Sequence, residues 1–162
     1  MERHSKGVVK NLCYAHIFFT DVPKRTDYDN NSDVLSIDVV TDQSPLENLR
    51  GISGYEPRFT SVVWSLTPDV EADIGLSVTK IHHWDNRPQD SNPTYAGIKQ
   101  ISFVSKRHNL GTEIFHARYL AHASIAREHH GMQAYAQNLD IDILYGSTSD
   151  GFEINAISEL WF

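Results

Sequence analysis

The stretch that decides the fold, residues 97–138, reads GIKQISFVSKRHNLGTEIFHARYLAHASIAREHHGMQAYAQN. Its first part, residues 98–104, has the apolar composition that is typical of a β-strand. From Thr112 to His130 apolar and aromatic residues recur at helical spacing, which predicts one long helix. Residues 133–144 again favour a strand, with a break near Asp140. The predicted order is therefore strand, helix, strand.

Further strands are predicted on both sides of this stretch. They cover residues 12–19, 34–40, 59–66, 76–84 and 156–162. A second, short helix is expected over residues 45–50, with Asp42 or Ser44 as its N-cap and Gly51 as its stop. Runs of strands with only two helices favour an α+β fold, in which an antiparallel sheet carries its helices on one face.

The segment DNRPQDSNPTYAG, residues 85–97, is the best candidate for an internal boundary because it holds two prolines and many turn-forming residues. It separates a strand-rich half, residues 1–97, from a β-α-β-β module, residues 98–162. Both halves can be interpreted as strand, helix, strand, so the first is a candidate degenerate duplicate of the second. Together they are expected to form one compact unit.

Composition excludes several classes of protein. The chain has 162 residues, of which 40% are hydrophobic and 22% charged, as in ordinary globular proteins. A formal net charge of -7 argues against binding to nucleic acid or to anionic membranes. The one cysteine, Cys13, cannot form an internal disulfide, and the N-terminal residues lack the apolar run of a secretory signal. We therefore expect a cytoplasmic protein.

The long helix has clear ends and two candidate faces. Thr112 is a suitable N-cap, Glu113 suits the first turn, and Gly131 ends the helix. An aliphatic stripe, expected to press on the sheet, consists of Ile114, Ala117, Ala121 and Ile125. A second stripe beside it consists of Phe115, Tyr119, His122, Ala126 and His129.

The second stripe combines aromatic rings, which can stack on an apolar molecule, with imidazoles that titrate near neutrality. This combination suits proton transfer to a bound ligand. The alternative is that His122 and His129 are solvated residues at the border of an amphipathic helix. Metal chemistry has less support, since His82 and His83 point to opposite faces of a strand and no HEXXH pattern occurs. No nucleotide-binding or hydrolase motif is present either, so no metal or cofactor is expected.

Several phrases of the C-terminal module resemble EthD-domain proteins, in the following order along the chain. They are the basic pair Lys106-Arg107, then Leu110, Glu113 and Phe115, then His122-Ala123-Ser124-Ile125-Ala126, then Tyr135 and Asn138, and the ending Glu159-Leu160-Trp161-Phe162. The resemblance covers about 65 residues. Ser124 stands where the family has proline, and the interval from Phe115 to His122 is one residue short.

The resemblance implies a dimeric α+β barrel, in which two ferredoxin-like sheets face each other and a small apolar or aromatic molecule binds between sheet and helices. It implies a homodimer that acts without metal or organic cofactor. The implied acid-base residues are His122 and Tyr119, with His129 as the alternate base. The implied wall residues are Phe115, Tyr135, Trp84 and Trp161.

Three functions remain open from the sequence. The first is dehydration, cyclisation or decarboxylation of an aromatic or polyketide-like substrate by histidine and tyrosine. The second is cofactor-independent oxidation of an activated phenol or anthrone by O2. The third is non-catalytic binding of a small hydrophobic molecule by an accessory protein. The fold by itself does not select among them.

Overall fold

The computed structural model describes residues 9–40, 59–88, 97–147 and 153–162. The short helix predicted over residues 45–50 lies outside these ranges, and so does most of the predicted boundary segment, residues 89–96.

The described residues form seven strands, one α-helix and one short 3-10 helix. They are β1 (Val9–Phe18), the 3-10 helix (Arg25–Tyr28), β2 (Val34–Val39), β3 (Ser61–Ser65), β4 (Ile74–Asp85), β5 (Lys99–Val104), α1 (Thr112–His129), β6 (Ala134–Tyr145) and β7 (Ala156–Trp161). The predicted strand, helix, strand, strand order of the C-terminal module is confirmed. No helix in the described ranges is long and apolar enough to cross a membrane.

All seven strands belong to one antiparallel sheet with the order β2-β3-β1-β4-β6-β7-β5. The predicted α+β class is therefore confirmed. The same arrangement occurs twice along this order, since β3 lies between β2 and β1, and β7 lies between β6 and β5. In both triplets the central strand is antiparallel to its two neighbours.

Contacts within the chain divide it into two compact units. The first comprises Met1–Leu12, Val78–Ile141 and Ser149–Phe162, and the second comprises Cys13–Ser77 and Asp142–Thr148. The predicted division between residues 1–97 and 98–162 stays a prediction.

The core of the first unit lies between α1 and the sheet. One cluster joins Phe115 of α1 to Ile81, Leu139 and Ala156 on three different strands. Burial of each large side chain of this kind contributes roughly 1.5–3 kcal/mol. A second cluster consists of Ala123, Ala126, Met132 and Tyr135. The alanines allow the end of α1 to approach the sheet closely.

Our prediction of which face of α1 packs on the sheet is wrong. Ile114 and Ile125 of the aliphatic stripe are 52% and 53% exposed, whereas Phe115, Ala123 and Ala126 are buried. The buried line lies one residue further round the helix, where Phe115 packs against Ile81, Leu139 and Ala156 of the sheet.

The ends of α1 are close to the prediction. Gly111, with extended backbone angles, is the N-cap, so Thr112 is the first helical residue and not the cap. Gly131 has a φ of 59°, the left-handed conformation that commonly ends a helix. The break expected near Asp140 is confirmed as well, since Asp140 has a φ of 50° within β6.

The second unit has its own apolar core, which contains Phe18, Val34, Val63 and Val70. Trp64 is fully buried on β3, and its indole nitrogen donates a hydrogen bond to Asp38 at 2.8 Å.

Candidate functional site

Four of the predicted site residues meet in the layer between α1 and the sheet. Phe115 and Tyr119 stack on each other, with ring centroids 5.5 Å apart. Tyr135 lies 5.3 Å from Trp84, again between ring centroids. The tyrosines are connected through Gln137, whose side-chain amide lies 2.7 Å from the backbone oxygen of Tyr119 and 2.9 Å from the hydroxyl of Tyr135.

The other three predicted residues lie elsewhere. His122 and His129 are exposed on α1, so the structure does not bring them together with Tyr119. Trp161 follows Leu160 on β7 and points to the opposite face of the sheet, where it packs against Ala134 and Ala136. The helix stripe therefore divides into a buried aromatic part and an exposed imidazole part.

The side-chain amide of Gln137 has only one possible orientation. The backbone oxygen of Tyr119 can only accept a hydrogen bond, so the group 2.7 Å from it must be the NH₂ of Gln137. The amide oxygen then faces His83 Nε2 at 2.8 Å. Gln137 is fully buried, so none of these interactions competes with water.

This orientation sets the tautomer of His83. Because the Gln137 oxygen accepts, His83 Nε2 carries the proton, and Nδ1 of the neutral ring holds a lone pair. The imidazole stacks on Tyr135, with ring centroids 5.4 Å apart, and remains partly accessible to solvent. Burial lowers the pKa of His83 below its ordinary value of 6.5, although the hydrogen bond to Gln137 opposes this shift. His83 is thus a neutral base at neutral pH.

The titration of His83 can be followed by NMR. We expect its midpoint below 6.5, because burial disfavours the imidazolium and protonation requires a lower pH. The neutral ring should show the Nε2-protonated tautomer. In Gln137→Met the midpoint should fall further, since the hydrogen bond that favours the charged ring is lost. A wild-type midpoint at or above 6.5 would contradict this description of the site.

The two tyrosines are held within the buried layer. The Tyr119 hydroxyl is hydrogen-bonded to Ser158 Oγ, and burial raises its pKa, so it stays protonated. The Tyr135 hydroxyl accepts a hydrogen bond from Gln137, and the Tyr135 side chain is buried. The partly exposed imidazole of His83 is therefore better placed than either hydroxyl to contact a ligand.

The opposite face of the sheet in the same unit carries a buried charged cluster. Glu159 is fully buried, with Lys80 Nζ 2.6 Å from Oε1 and Lys99 Nζ 2.8 Å from Oε2. Asn138 also donates to Oε1 at 3.0 Å. Burial alone would raise the pKa of Glu159, but the charges of Lys99 and Lys80 lower it to about 2. The cluster is ionised and structural in character.

The second unit contains a fully buried histidine, His16. Its Nε2 lies 2.8 Å from Ser65 Oγ and its Nδ1 lies 3.0 Å from the Tyr145 hydroxyl. Ser65 donates to the Thr67 oxygen, and Tyr145 donates to the Val70 oxygen. Burial lowers the pKa of His16, and both His16 and Ser65 are shielded from solvent. We regard this group as a structural connection and not as a nucleophile with its base.

Sequence reasoning missed three members of the site, His83, Gln137 and Ser158. The alternation of His82 and His83 on β4 was the available signal, because it directs one imidazole to each face of the sheet. Which face carries α1 could not be read from that alternation. Within the described ranges, no group of three histidine, cysteine, aspartate or glutamate side chains is arranged to hold a metal ion.

Comparison of the chain with protein-family models, with curated proteins and with solved structures finds no match. The functional interpretation therefore depends on the residues of the site and on the resemblance of the C-terminal phrases.

Proposed function

We propose that this protein is a cofactor-free enzyme that transfers protons on a small aromatic or polyketide-like molecule, with His83 as general base. The observation that carries the proposal is the Gln137 side chain, which holds the partly exposed His83 as a neutral imidazole with a lone pair on Nδ1. A general base needs a free lone pair at working pH and a partner that stabilises the charge it acquires. Gln137 supplies that partner.

In the proposed reaction, His83 Nδ1 removes a proton from an acidic C–H or O–H group of the substrate. The resulting imidazolium is stabilised by its Nε2–H bond to the Gln137 oxygen. Tyr135 stacks on the imidazole, with ring centroids 5.4 Å apart, and keeps its plane oriented. The proton can return to another atom, which gives isomerisation, or to a hydroxyl that leaves as water, which gives dehydration. In decarboxylation the C–C bond to the carboxylate breaks, CO2 leaves, and the proton adds at the carbon that keeps the electron pair.

We assign the base to His83 in place of His122, which the family resemblance suggested. His122 and His129 are exposed on α1, where water competes for every contact. His83 stacks on Tyr135 within the layer that also contains Trp84, Tyr119 and Phe115. An aromatic ligand that joins this layer meets the base directly.

We also propose that the chain belongs to the EthD-like dimeric α+β barrels and acts as a cytoplasmic homodimer. Support comes from the order of the C-terminal strands, since β7 lies between β6 and β5 and α1 connects β5 to β6. The repeated order in β2-β3-β1 supports the view that the N-terminal half is a degenerate half-barrel.

Anthrone is a suitable probe, because it is aromatic, polyketide-like and acidic at its C10 methylene. We expect wild-type protein to accelerate exchange of the C10 hydrogens in D2O under anaerobic conditions, followed by NMR. His83→Ala should lose about 100-fold of that acceleration, because general-base catalysis contributes at least this much. His122→Ala is the matched control, and its rate should stay within about twofold of wild type.

Equal exchange rates for His83→Ala and wild type, with both proteins folded, would refute the proposal. Admission of air after the exchange measurement separates the oxidative alternative, because that reaction consumes O2 in step with the loss of anthrone. Saturable binding of anthrone without any acceleration of exchange would instead identify an accessory binding protein.

A further inference from the structure

Arg127 lies at the edge of the aromatic layer that contains His83 and Tyr135. It belongs to the last turn of α1, and its guanidinium carbon is 5.6 Å from the centroid of the Trp84 ring. Trp84 in turn contacts Tyr135, with ring centroids 5.3 Å apart. The centroids of the Trp84 and His83 rings are 6.5 Å apart, so the cation is one aromatic ring away from the proposed base.

The position of Trp84 is set independently of Arg127. The Trp84 indole nitrogen donates to the Met132 oxygen at 3.3 Å, and the ring packs in the cluster that contains Ala123 and Ala126. The ring therefore provides a fixed surface on which the guanidinium rests. Such cation–π contact at exposed sites contributes about 0.5–1 kcal/mol, enough to bias the side chain without immobilising it.

Arg127 keeps its hydrogen-bonding capacity. Across the described ranges no carboxylate lies within ion-pair distance of its guanidinium, in contrast to Arg87, which is paired with Asp85 at 2.6 Å. A cation–π contact uses none of the N–H groups of a guanidinium as hydrogen-bond donors, so Arg127 can still bind a carboxylate with two parallel hydrogen bonds. The chain as a whole carries a net charge of -7, so an anionic ligand would need a local cation of this kind.

We infer that Arg127 is a specificity residue that recognises the carboxylate of an aromatic acid, and that the natural substrate belongs to this class. The inference rests on the proposed function, because it uses the same aromatic layer. The aromatic part of the substrate contacts Trp84, whose ring centroid is 6.5 Å from that of His83. The reacting group faces His83 Nδ1, and the carboxylate is bound by Arg127 at the edge. A neutral aromatic molecule of the same shape lacks only the contact with Arg127.

The test compares two ligands of the same shape, 2-naphthoate and its neutral counterpart 2-naphthamide. Dissociation constants are measured by calorimetry at low ionic strength for wild type, Arg127→Met and Arg118→Met. Arg118 is an exposed arginine on the same helix and serves as the matched control. Methionine keeps an aliphatic chain on Trp84 while removing the charge.

We expect wild-type protein to bind 2-naphthoate about tenfold more tightly than 2-naphthamide, a typical effect of one charge-assisted interaction. Arg127→Met should reduce this ratio to about one by weakening 2-naphthoate alone, whereas Arg118→Met should keep it. Added salt should reduce the wild-type ratio.

The outcomes separate the two proposals. If 2-naphthamide binds and the naphthoate preference is absent, or survives in Arg127→Met, the role of Arg127 is refuted while the aromatic site stands. If neither ligand binds to wild-type protein, the aromatic site itself is refuted, and the role of Arg127 with it.

Discussion

Replacement of Glu159 by glutamine is expected to lower the free energy of unfolding by about 3–5 kcal/mol. Glu159 is fully buried, and the side chains of Lys80 and Lys99 are only 12% and 13% exposed. The substitution leaves the two ammonium groups beside a neutral amide. Because the site is buried, solvation by water does not make up for the lost attraction to the carboxylate. Urea unfolding followed by tryptophan fluorescence measures the difference.

The carboxyl group of Glu159 should also make the free energy of unfolding depend on pH in the acid range. Its pKa is about 2 in the folded chain against an ordinary value of 4.5. The stabilisation is complete above about pH 4.5 and is lost as the pH falls through 2, because the unfolded chain takes up this proton first. We expect it to amount to about 3 kcal/mol. In Glu159→Gln this part of the acid dependence should disappear.

Two further variants test whether the effect of Glu159→Gln arises from the buried charges. Glu128→Gln removes an exposed carboxylate and should change stability by less than about 0.5 kcal/mol. The double variant Glu159→Gln/Lys99→Met should be more stable than Glu159→Gln alone, because it removes one of the two buried charges that the carboxylate attracted. If Glu159→Gln were as stable as wild type and kept the same acid dependence, the assignment of an ionised buried cluster would be wrong.

Gly75→Ala is expected to destabilise the protein by about 3 kcal/mol, through its effect on Tyr145. A Cβ atom at residue 75 would lie 2.2 Å from Cε1 of the Tyr145 ring, far below the 3.0 Å that real Cβ contacts respect. The ring cannot move away freely, because its hydroxyl is hydrogen-bonded to His16 and to the Val70 oxygen. The added methyl group therefore breaks contacts on two neighbouring segments.

Thermal or urea unfolding measures this effect, and Gly111→Ala is the control. Apart from the two chain neighbours, no heavy atom of the described residues lies within 4 Å of a Cβ at residue 111, so that variant should lose less than about 1 kcal/mol. In a Tyr145→Ala background the clash is absent, and Gly75→Ala should then cost little. A full additive loss in the double variant would show that Tyr145 is not the cause.

The sequence predicted the elements of this protein well because their signals are local. Strand composition, helical spacing and the turn conformation at Gly131 and Asp140 each depend on a few neighbouring residues. The aliphatic stripe was predicted wrongly for the complementary reason. Ile114 and Phe115 are both apolar and adjacent, and only the shape of the sheet below α1 decides which of them is buried.

The residues of the candidate site were likewise predicted only in part. Phe115, Tyr119, Tyr135 and Trp84 were predicted as site residues from the helix stripe and from the family resemblance, and the structure brings them into one layer. His83 could not be assigned, because its partner Gln137 is 54 residues away in the chain. A pairing over that distance depends on which strands are neighbours, and no local pattern encodes it.

The sequence alone determined the α+β class and the ends of α1 to within a residue. It also determined the net negative charge, which disfavours binding to nucleic acid. Only the tertiary structure decided which helix face meets the sheet, which of His82 and His83 faces α1, and where the base and its partner meet. The physical reason is that periodicity specifies the faces of an element, whereas the neighbour of each face is chosen by strand order and side-chain packing over long separations.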